Sequence, residues 1–582
     1  MNTLNTVPTQ KAAAHHAAFI PTPPSDQFKR AVKLHQQGDL AMAEFMYRQI
    51  LREEPDYIEV TYLLGLLANQ TGRPAEAIER INQYLLVKPD DAQAMSILSL
   101  SYYDLKDFEQ ARSFLEKSIR QRGGDAHLYY NLGKCYFELK LFSEAINSHE
   151  TAIRLQPTYT EAYIGKAIGY MELREFEAAA CILEHAILLD PLKAETHFFY
   201  GNAMRSSGET QLAIEAYETT LALKPDHIDA LINLATSLKD IDRLDEAFVC
   251  YDKALALQPD HPEGNYNKAL TLLWDREFSS GWKLHEWRMF PSELLIKHVR
   301  PQIIHKAPAW NGAPLEGHLL VLAEQGLGDQ VFFSGMLREL SSDVEAITVC
   351  TDPRLIPLFK RSFPTITFAT HEQIMQGQFD AQIYIGSLGR FYRSSEESFN
   401  KIQSPYLMSD KDLTKQLRNR VKKSGRLLCG LSWRSRNLDH GEQKTLPLEA
   451  LSQVLCLKNI DFVDLQYGDT TDERHSMEKS TGVRINKLDD IDNFNDIDSL
   501  SALISACDVV VTVSNSTAHL AAALGKPTLV LLPKASSVFW YWHRQTEHSP
   551  WYPTVRLLRK DELGDWPSVM DAVTLTLAGI QE

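Results

Sequence analysis

The chain has 582 residues, 44% of them hydrophobic, so it is too long for one core and can fill several globular domains. Its formal net charge of -16 argues against a general nucleic-acid binder, because such proteins neutralise phosphates with a basic face. The seven cysteines form no CxxC pair, and neither a membrane-length apolar run nor a signal-peptide pattern is present, which predicts a cytoplasmic protein in a reducing compartment.

The first half of the chain repeats with a period of 34 residues. Alanine recurs seven times at this interval, and proline follows 12 residues later in six of the units. The residues are Ala43, Ala77, Ala111, Ala145, Ala179, Ala213 and Ala247, with Pro55, Pro89, Pro157, Pro191, Pro225 and Pro259. Apolar residues recur at three- and four-residue steps over two stretches of each unit, as at 125–139 and 141–155, which predicts two amphipathic helices. We expect helical hairpins over 25–288, the last one degenerate, after a disordered leader at 1–24.

This spacing, with a small residue where two helices touch and a proline after the second helix, resembles the tetratricopeptide repeat. Such repeats stack into a superhelix, and in that family the first helix of each unit lines a concave groove. The resemblance implies that the groove binds a protein or peptide acceptor. The residues expected to bind it are Tyr62, Tyr130, Asn131, Phe198, Asn233 and Asn267. The alternative for the groove residues is packing between repeats.

After residue 300 the period stops, and short apolar runs alternate with helical stretches such as 331–340. Seven of these runs predict buried strands, in two groups. The runs are 318–323, 346–350 and 381–385, then 427–432, 461–465, 509–513 and 528–532. We predict one α/β domain at 301–408, a charged helical linker at 409–425 and a second α/β domain at 426–582. A ligand is expected in the cleft between the two domains.

Three motifs in this half suggest a family. They are Pro308-Ala-Trp-Asn-Gly312, Glu324-Gln-Gly-Leu-Gly-Asp329 and Ser514-Asn-Ser-Thr-Ala-His-Leu520. Together they resemble the catalytic region of bacterial tetratricopeptide-repeat glycosyltransferases, which is similar to the heptosyltransferases and has the two-Rossmann architecture called GT-B. The resemblance implies an all-α repeat superhelix followed by an α/β GT-B region, a nucleotide-sugar co-substrate, no other cofactor and no metal. Flagellin glycosyltransferases have a similar layout, which makes flagellin the first acceptor to test.

The donor site is expected where a strand passes into a helix at 514–517, because free amide N–H groups and the helix dipole favour a diphosphate. The alternative there is an ordinary N-cap. The resemblance extends the donor site to a lysine that would neutralise the leaving diphosphate and to residues at strand ends. The candidates are Gly326, Gly328, Trp433, Lys444, Gln466, Ser514, Asn515, Ser516, Thr517 and His519. Surface exposure of Lys444, packing of Trp433 and Gln466, and a core role for His519 stay open.

Asp329 follows a glycine-rich turn and matches the catalytic aspartate of the heptosyltransferase pattern. Its carboxylate is expected to act as the general base for an acceptor hydroxyl, or else only to cap the helix that follows. The acidic pairs at 490–492 and 496–498 look like the DxD of metal-dependent enzymes, but they precede a helix that such acids favour. We predict an inverting, metal-independent protein O-glycosyltransferase; the alternatives are a glycolipid or heptosyl-type transferase and a non-catalytic repeat scaffold.

Overall fold

The computed structural model describes residues 25–290, 305–423, 425–435, 444–533, 538–560 and 565–581. The predicted leader at 1–24 lies outside these residues. The chain forms two compact units, one up to Ala230 and one from Leu231 onward, so the division falls inside the helical repeats. None of the helices in the described part of the chain is long and apolar enough to cross a membrane.

Sixteen α-helices follow one another in the described residues 25–290. The first twelve are α1 (Asp26–Gln36), α2 (Leu40–Glu53), α3 (Ile58–Gln70), α4 (Pro74–Val87), α5 (Ala92–Asp104), α6 (Phe108–Arg122), α7 (Ala126–Glu138), α8 (Phe142–Leu155), α9 (Thr160–Glu172), α10 (Phe176–Leu189), α11 (Ala194–Ser207) and α12 (Thr210–Leu223). The last four are α13 (Ile228–Asp240), α14 (Leu244–Leu257), α15 (Pro262–Trp274) and α16 (Phe278–His285). A 3-10 turn follows at Glu286–Met289. The prediction of two helices per 34 residues is confirmed.

The small side chains of the 34-residue pattern lie in the packed core of the repeats, as their size predicts. All seven periodic alanines are fully buried. Close approach within a hairpin also explains Gly133, since a Cβ there would lie 2.6 Å from the ring of His149. Several helices begin at an aspartate whose side chain accepts from a backbone N–H of the first turn, as Asp125 does from Leu128 N at 2.9 Å.

The backbone carries a further 34-residue period. Eight residues have a left-handed backbone with positive φ, one in each hairpin turn: Gly38, Gly72, Lys106, Lys140, Arg174, Gly208, Asp242 and Arg276. Only three of them are glycines, so the sequence did not mark the series. Its last member lies between α15 and α16, which shows that the degenerate eighth hairpin keeps the turn geometry of the others.

Two parallel sheets lie in the second unit. The first contains β1 (Leu315–Leu322), β2 (Val344–Cys350), β3 (Thr367–Ala369) and β4 (Ala381–Tyr384), in the order β3-β2-β1-β4. The second contains β5 (Leu427–Ser432), β6 (Ile460–Asp464), β7 (Ile485–Asn486), β8 (Val509–Val513), β9 (Thr528–Leu532) and β10 (Val555–Arg559), in the order β7-β6-β5-β8-β9-β10. The second order is that of a complete Rossmann sheet, and the first is its beginning.

The other α-helices of the described residues lie between or after these strands. They are α17 (Leu327–Ser334), α18 (Leu337–Asp343), α19 (Ile356–Ser362), α20 (His371–Ile374), α21 (Gly389–Tyr392), α22 (Lys411–Val421), α23 (Ser452–Leu455), α24 (Thr471–Thr481), α25 (Ile497–Ala506), α26 (Ser516–Ala523) and α27 (Trp566–Gln581). The predicted linker helix is α22. The helix predicted at 331–340 is two helices, α17 and α18, which are separated by a turn at 335–336.

Strands β3, β7 and β10 were not predicted. The first two have only three and two residues, too few for a pattern, and β10 carries Arg556 and Arg559 within its apolar run. The aromatic segment before β10 packs as a core between elements of the second unit. The rings of Trp540 and Trp282 of α16 pack edge to face with their centres 5.3 Å apart, and the ring centres of Trp551 and Phe332 of α17 are 4.4 Å apart.

Candidate ligand-binding cleft

A cavity of about 310 Å³ lies where the loops that follow β1 and β8 meet. Its wall includes Gly326, Leu327, Gly328 and Asp329 at the start of α17, and Ser514, Asn515, Ser516, Thr517 and His519 around the start of α26. Loops that follow parallel strands beside a reversal of strand order are the usual ligand sites of such sheets, and the volume lies at the lower end of the about 300–1,000 Å³ that small-molecule sites have. The fold therefore brings together the residues of two motifs that are distant in the sequence.

Two close backbone contacts hold the motifs side by side. A Cβ on Gly328 would lie 3.2 Å from the ring of His519 and 3.5 Å from the Cα of Ser516. A larger residue at 328 would require the His519 ring or the start of α17 to shift. Gly328 therefore lets the two helix N-termini approach each other.

Asp329 is half-buried and lies in the first turn of α17. One carboxylate oxygen, Oδ2, accepts a hydrogen bond from the N–H of Gly326 at 3.1 Å, so the residue does cap its helix. Burial raises the pKa of Asp329 to about 6, and the charge of Glu324 adds to the rise, while the Gly326 N–H and the charge of Lys444 lower it. A carboxyl group with this pKa can accept a proton near neutral pH, so capping and base chemistry are compatible.

The side chain of Asn515 forms hydrogen bonds within the protein. Its Oδ1 accepts from the N–H groups of Thr517 and Ala518, and its Nδ2 donates to Ser432 Oγ at 2.8 Å and to the carbonyl of Arg434 at 3.0 Å. The side chain caps α26 and attaches it to the end of β5. The N-cap interpretation is confirmed for this residue.

The hydroxyls around Asn515 differ in what they contact. Ser514 is buried, and its Oγ accepts from the indole N–H of Trp542 at 2.9 Å. Thr517 is buried and Ser516 is half-buried, and both line the cavity. The first turn of α26 thus presents a hydroxyl and the positive end of a helix dipole to the space that Asp329 faces.

Lys444 is buried, not on the surface. Its side chain is 1% exposed, and Nζ lies 3.4 Å from the ring centre of Phe539, which lines the cavity. Its charge lowers the pKa of both Asp329 and His519. Lys444 itself is not among the described residues that line the cavity, but its charge adds positive potential to the site.

His519 lines the cavity as a neutral imidazole. The ring is buried, and burial, with a smaller effect of the Lys444 charge, lowers its pKa to about 3. Nδ1 shares a hydrogen bond of 2.9 Å with the Tyr552 hydroxyl, and the ring stacks on Trp542 at 5.3 Å. His519 is thus a packed core residue that also contacts the cavity.

Trp433 and Gln466 are not among the described residues that line the cavity. Gln466 is fully buried, and its Oε1 accepts from Ser432 Oγ and from the N–H groups of Trp433 and Arg434. The indole of Trp433 donates to Glu473 Oε2 at 2.9 Å. Both residues therefore shape the turn after β5, and any effect on a ligand is indirect.

No motif or spacing marks Asn493, which lines the cavity and is buried. Its Nδ2 donates to the carbonyls of Asp464 and Gln466 at 3.3 and 3.1 Å, and only the NH₂ end can serve two carbonyls, so the amide orientation is fixed. Its Oδ1 is buried without a hydrogen-bond partner. A buried acceptor without a partner in a cavity wall suits a ligand N–H or O–H.

The acidic pairs nearby have structural partners. Asp490 forms an ion pair with Arg420 at 2.7 Å, and Asp496 caps α25 by accepting from Ser499 N. Asp498 binds Arg361 of α19. In the part of the chain that the structure describes, no group of three His, Cys, Asp or Glu side chains could hold a metal ion. That the protein acts without a metal stays a prediction.

The predicted acceptor-binding residues differ in exposure. In the first unit, Tyr62 is 1% exposed and packs on Tyr84 at 4.9 Å, so the structure places it in the repeat core. Tyr130 and Phe198 are half-buried, and Asn131 is buried with an Oδ1 that has no partner. In the second unit, Asn233 and Asn267 are half-buried. The half-buried residues are the ones that can still contact an acceptor.

Comparison with known proteins supports the helical half. Family models described as tetratricopeptide repeat match residues 34–99, 92–123, 126–159, 164–228 and 228–261. The chain therefore contains tetratricopeptide repeats, a class of protein-interaction module.

Protein FlbA of Caulobacter vibrioides is 33% identical over 336 residues, which cover 54% of this chain and 54% of FlbA. The chain thus spans about half the length of this curated relative. Among solved structures, the repeat protein TTC0263 of Thermus thermophilus is 25% identical, with 31% of this chain and 99% of that one covered and a TM-score of 0.28. YrrB, described as a TPR protein with an unusual peptide-binding site, is 22% identical, with 33% and 99% covered and a TM-score of 0.28.

Proposed function

We propose that this chain is an inverting, metal-independent glycosyltransferase of the GT-B type, which moves a sugar from a nucleotide donor to a hydroxyl of a protein. The observation that carries the proposal is the cavity in which Asp329, with a pKa near 6, faces the N-terminus of α26. One end supplies a base and the other a site for negative charge, as transfer from a nucleotide sugar requires.

The proposed reaction is a single displacement. Asp329 takes the proton of the acceptor hydroxyl, the hydroxyl oxygen bonds to the anomeric carbon, and the bond from that carbon to the diphosphate breaks. The leaving diphosphate gains negative charge, which the first turn of α26 and the buried Lys444 stabilise. The unpaired Oδ1 of Asn493 accepts from a donor group on the nucleoside.

The repeats would select the acceptor. Tetratricopeptide repeats bind proteins, and the half-buried Tyr130 and Phe198 offer aromatic surface in the first unit. A flagellin is the acceptor to test first, which rests on the resemblance of the catalytic motifs to flagellin glycosyltransferases. A cytoplasmic site of action belongs to the same proposal.

Calorimetry with UDP, GDP, CMP and ADP tests the donor site. We expect one of them to bind with a dissociation constant in the micromolar range, as is usual for enzyme substrates. Binding to none would favour a repeat scaffold without catalysis. The sugar is then found by incubating the chain with sugars on the preferred nucleotide and measuring the intact mass of a coexpressed flagellin.

Variants of the repeat surface test whether the acceptor is a protein or a glycolipid. Replacing Tyr130 and Phe198 by alanine should lower the yield of modified protein at least about tenfold, with nucleotide affinity unchanged. Phe45, which is 55% exposed on α2, provides the control alanine variant. Equal modification by all three proteins would show that Tyr130 and Phe198 do not select the protein acceptor, and no modified protein in any sample would favour a glycolipid.

A further inference from the structure

A fully buried ion pair connects the end of the helical repeats to the loop that carries Asp329. The side chains of Arg288 and Glu324 are both 0% exposed. Nε of Arg288 donates to Oε2 of Glu324 and Nη2 donates to Oε1, each at 2.9 Å, so the pair is bidentate. Arg288 also donates to Ser387 Oγ at 2.8 Å and to Glu286 Oε1 at 2.9 Å.

The pair occupies a position where ligands usually bind. Glu324 follows β1, and its Oε1 also accepts from the N–H of Gly386, which follows β4. These neighbouring strands are the reversal point of the first sheet, the crevice in which Rossmann folds hold a ligand. Here the guanidinium of Arg288 fills it. A Cβ on Gly386 would lie 2.5 Å from Glu324 Oε1, so no larger residue fits beside the pair.

The ion pair of Arg288 with Glu324, called the anchor below, lies close to the candidate base in the sequence, because Glu324 is five residues before Asp329. Gln325 has a left-handed backbone with φ of 59°, an unusual conformation for a residue with a side chain. Next, the N–H of Gly326 holds Oδ2 of Asp329. The turn from 324 to 329 is thus held at its start by Arg288 through Glu324 and at its end by the hydrogen bond between Gly326 and Asp329.

We propose that Arg288, acting through Glu324, is a positioning residue for Asp329, and that the segment after the last hairpin belongs to the transferase site. The idea rests on the proposed function. Removal of the anchor leaves the turn free to relax from its left-handed conformation, which moves the carboxylate relative to the start of α26. A displacement of about 1 Å from the reactive geometry costs about 100-fold in rate.

The test uses the full chain with both charges replaced, Arg288→Met with Glu324→Leu. Removing both partners leaves no fully buried charge unpaired, because the half-buried Glu286 keeps Arg390 at 3.5 Å, and such a change is often neutral for stability. The matched control is Arg393→Met with Glu339→Leu, which removes an ion pair of 2.6 Å whose arginine is 1% exposed. That pair connects the end of α21 to α18 and is not part of the cleft.

We expect kcat of the Arg288/Glu324 double variant to fall at least about 100-fold, with nucleotide affinity within about twofold of the wild type. The control should keep kcat. Hydrogen exchange gives a readout that needs no turnover: amides 325–328 should exchange faster in the double variant, and those of β1 should not. A double variant with normal kcat, or with unchanged exchange at 325–328, would overturn the positioning role. A wild type that binds no nucleotide would instead refute the proposed function.

Discussion

Replacing Asp329 by asparagine separates the roles of base and helix cap. Burial raises its pKa from 3.8 to about 6, and a rise of this size corresponds to about 3 kcal/mol lost when the folded protein carries the charge. Water in the cleft reduces the figure, and loss of a charge from the helix N-terminus costs up to about 1 kcal/mol. We therefore expect Asp329→Asn to raise the free energy of unfolding by about 1–2 kcal/mol at pH 8.

The gain depends on pH in a defined direction. Because the folded-state pKa lies above the unfolded one, the wild type loses stability as the pH rises from about 4 through about 6. We expect the free energies of unfolding of the variant and the wild type, measured in urea, to be nearly equal at about pH 4 and to differ by the full amount at about pH 8. Turnover should fall about 100- to 10,000-fold with nucleotide affinity unchanged. A variant that is less stable at pH 8 yet keeps its turnover would show that Asp329 only caps the helix.

Three further changes test the cleft and the repeats. Lys444→Met should weaken nucleoside diphosphates about tenfold or more in calorimetry and leave nucleosides unaffected; equal losses for both would contradict a phosphate role. Asn493→Ala should weaken nucleosides and their diphosphates alike, by about tenfold, and unchanged affinity would exclude its Oδ1 as a ligand acceptor. Gly133→Ala should lower stability to urea by about 1–3 kcal/mol because its Cβ meets His149, whereas Gly579→Ala, with nothing within 4 Å, should raise it slightly.

The sequence predicted the elements whose signal is local. The alanine period indicated the helical hairpins because every one of those alanines is a helix contact. Strands β5, β8 and β9 have the predicted bounds, since a parallel strand buried on both faces is one apolar run. The left-handed backbone was predictable at glycine turns such as Gly72 and Gly208 but not at the other five positions, because lysine, arginine and aspartate carry no turn signal.

The candidate site was predictable only in part, for the same reason. Asp329 and the 514–517 turn belong to motifs, and the structure places both in one cavity. Asn493 and the partner of Glu324 belong to none. Arg288 lies 36 residues before Glu324, and nothing in an isolated arginine indicates that it will be fully buried against a carboxylate. Such pairings arise from the tertiary fold, and only coordinates reveal them.

The left-handed turns also indicate where this protein could be made more heat-resistant. Five of them carry a side chain, and each costs about 1 kcal/mol relative to glycine in that conformation. They are Lys106, Lys140, Arg174, Asp242 and Arg276. Glycine also adds freedom to the unfolded chain, which cancels part of the gain, but about half should remain at a turn whose side chain forms no ion pair. Because Asp242 and Arg276 form ion pairs with Arg544 and Glu396, the change is best made at Lys106 and Lys140, where an engineer could raise the melting temperature without altering a helix interface or the cleft.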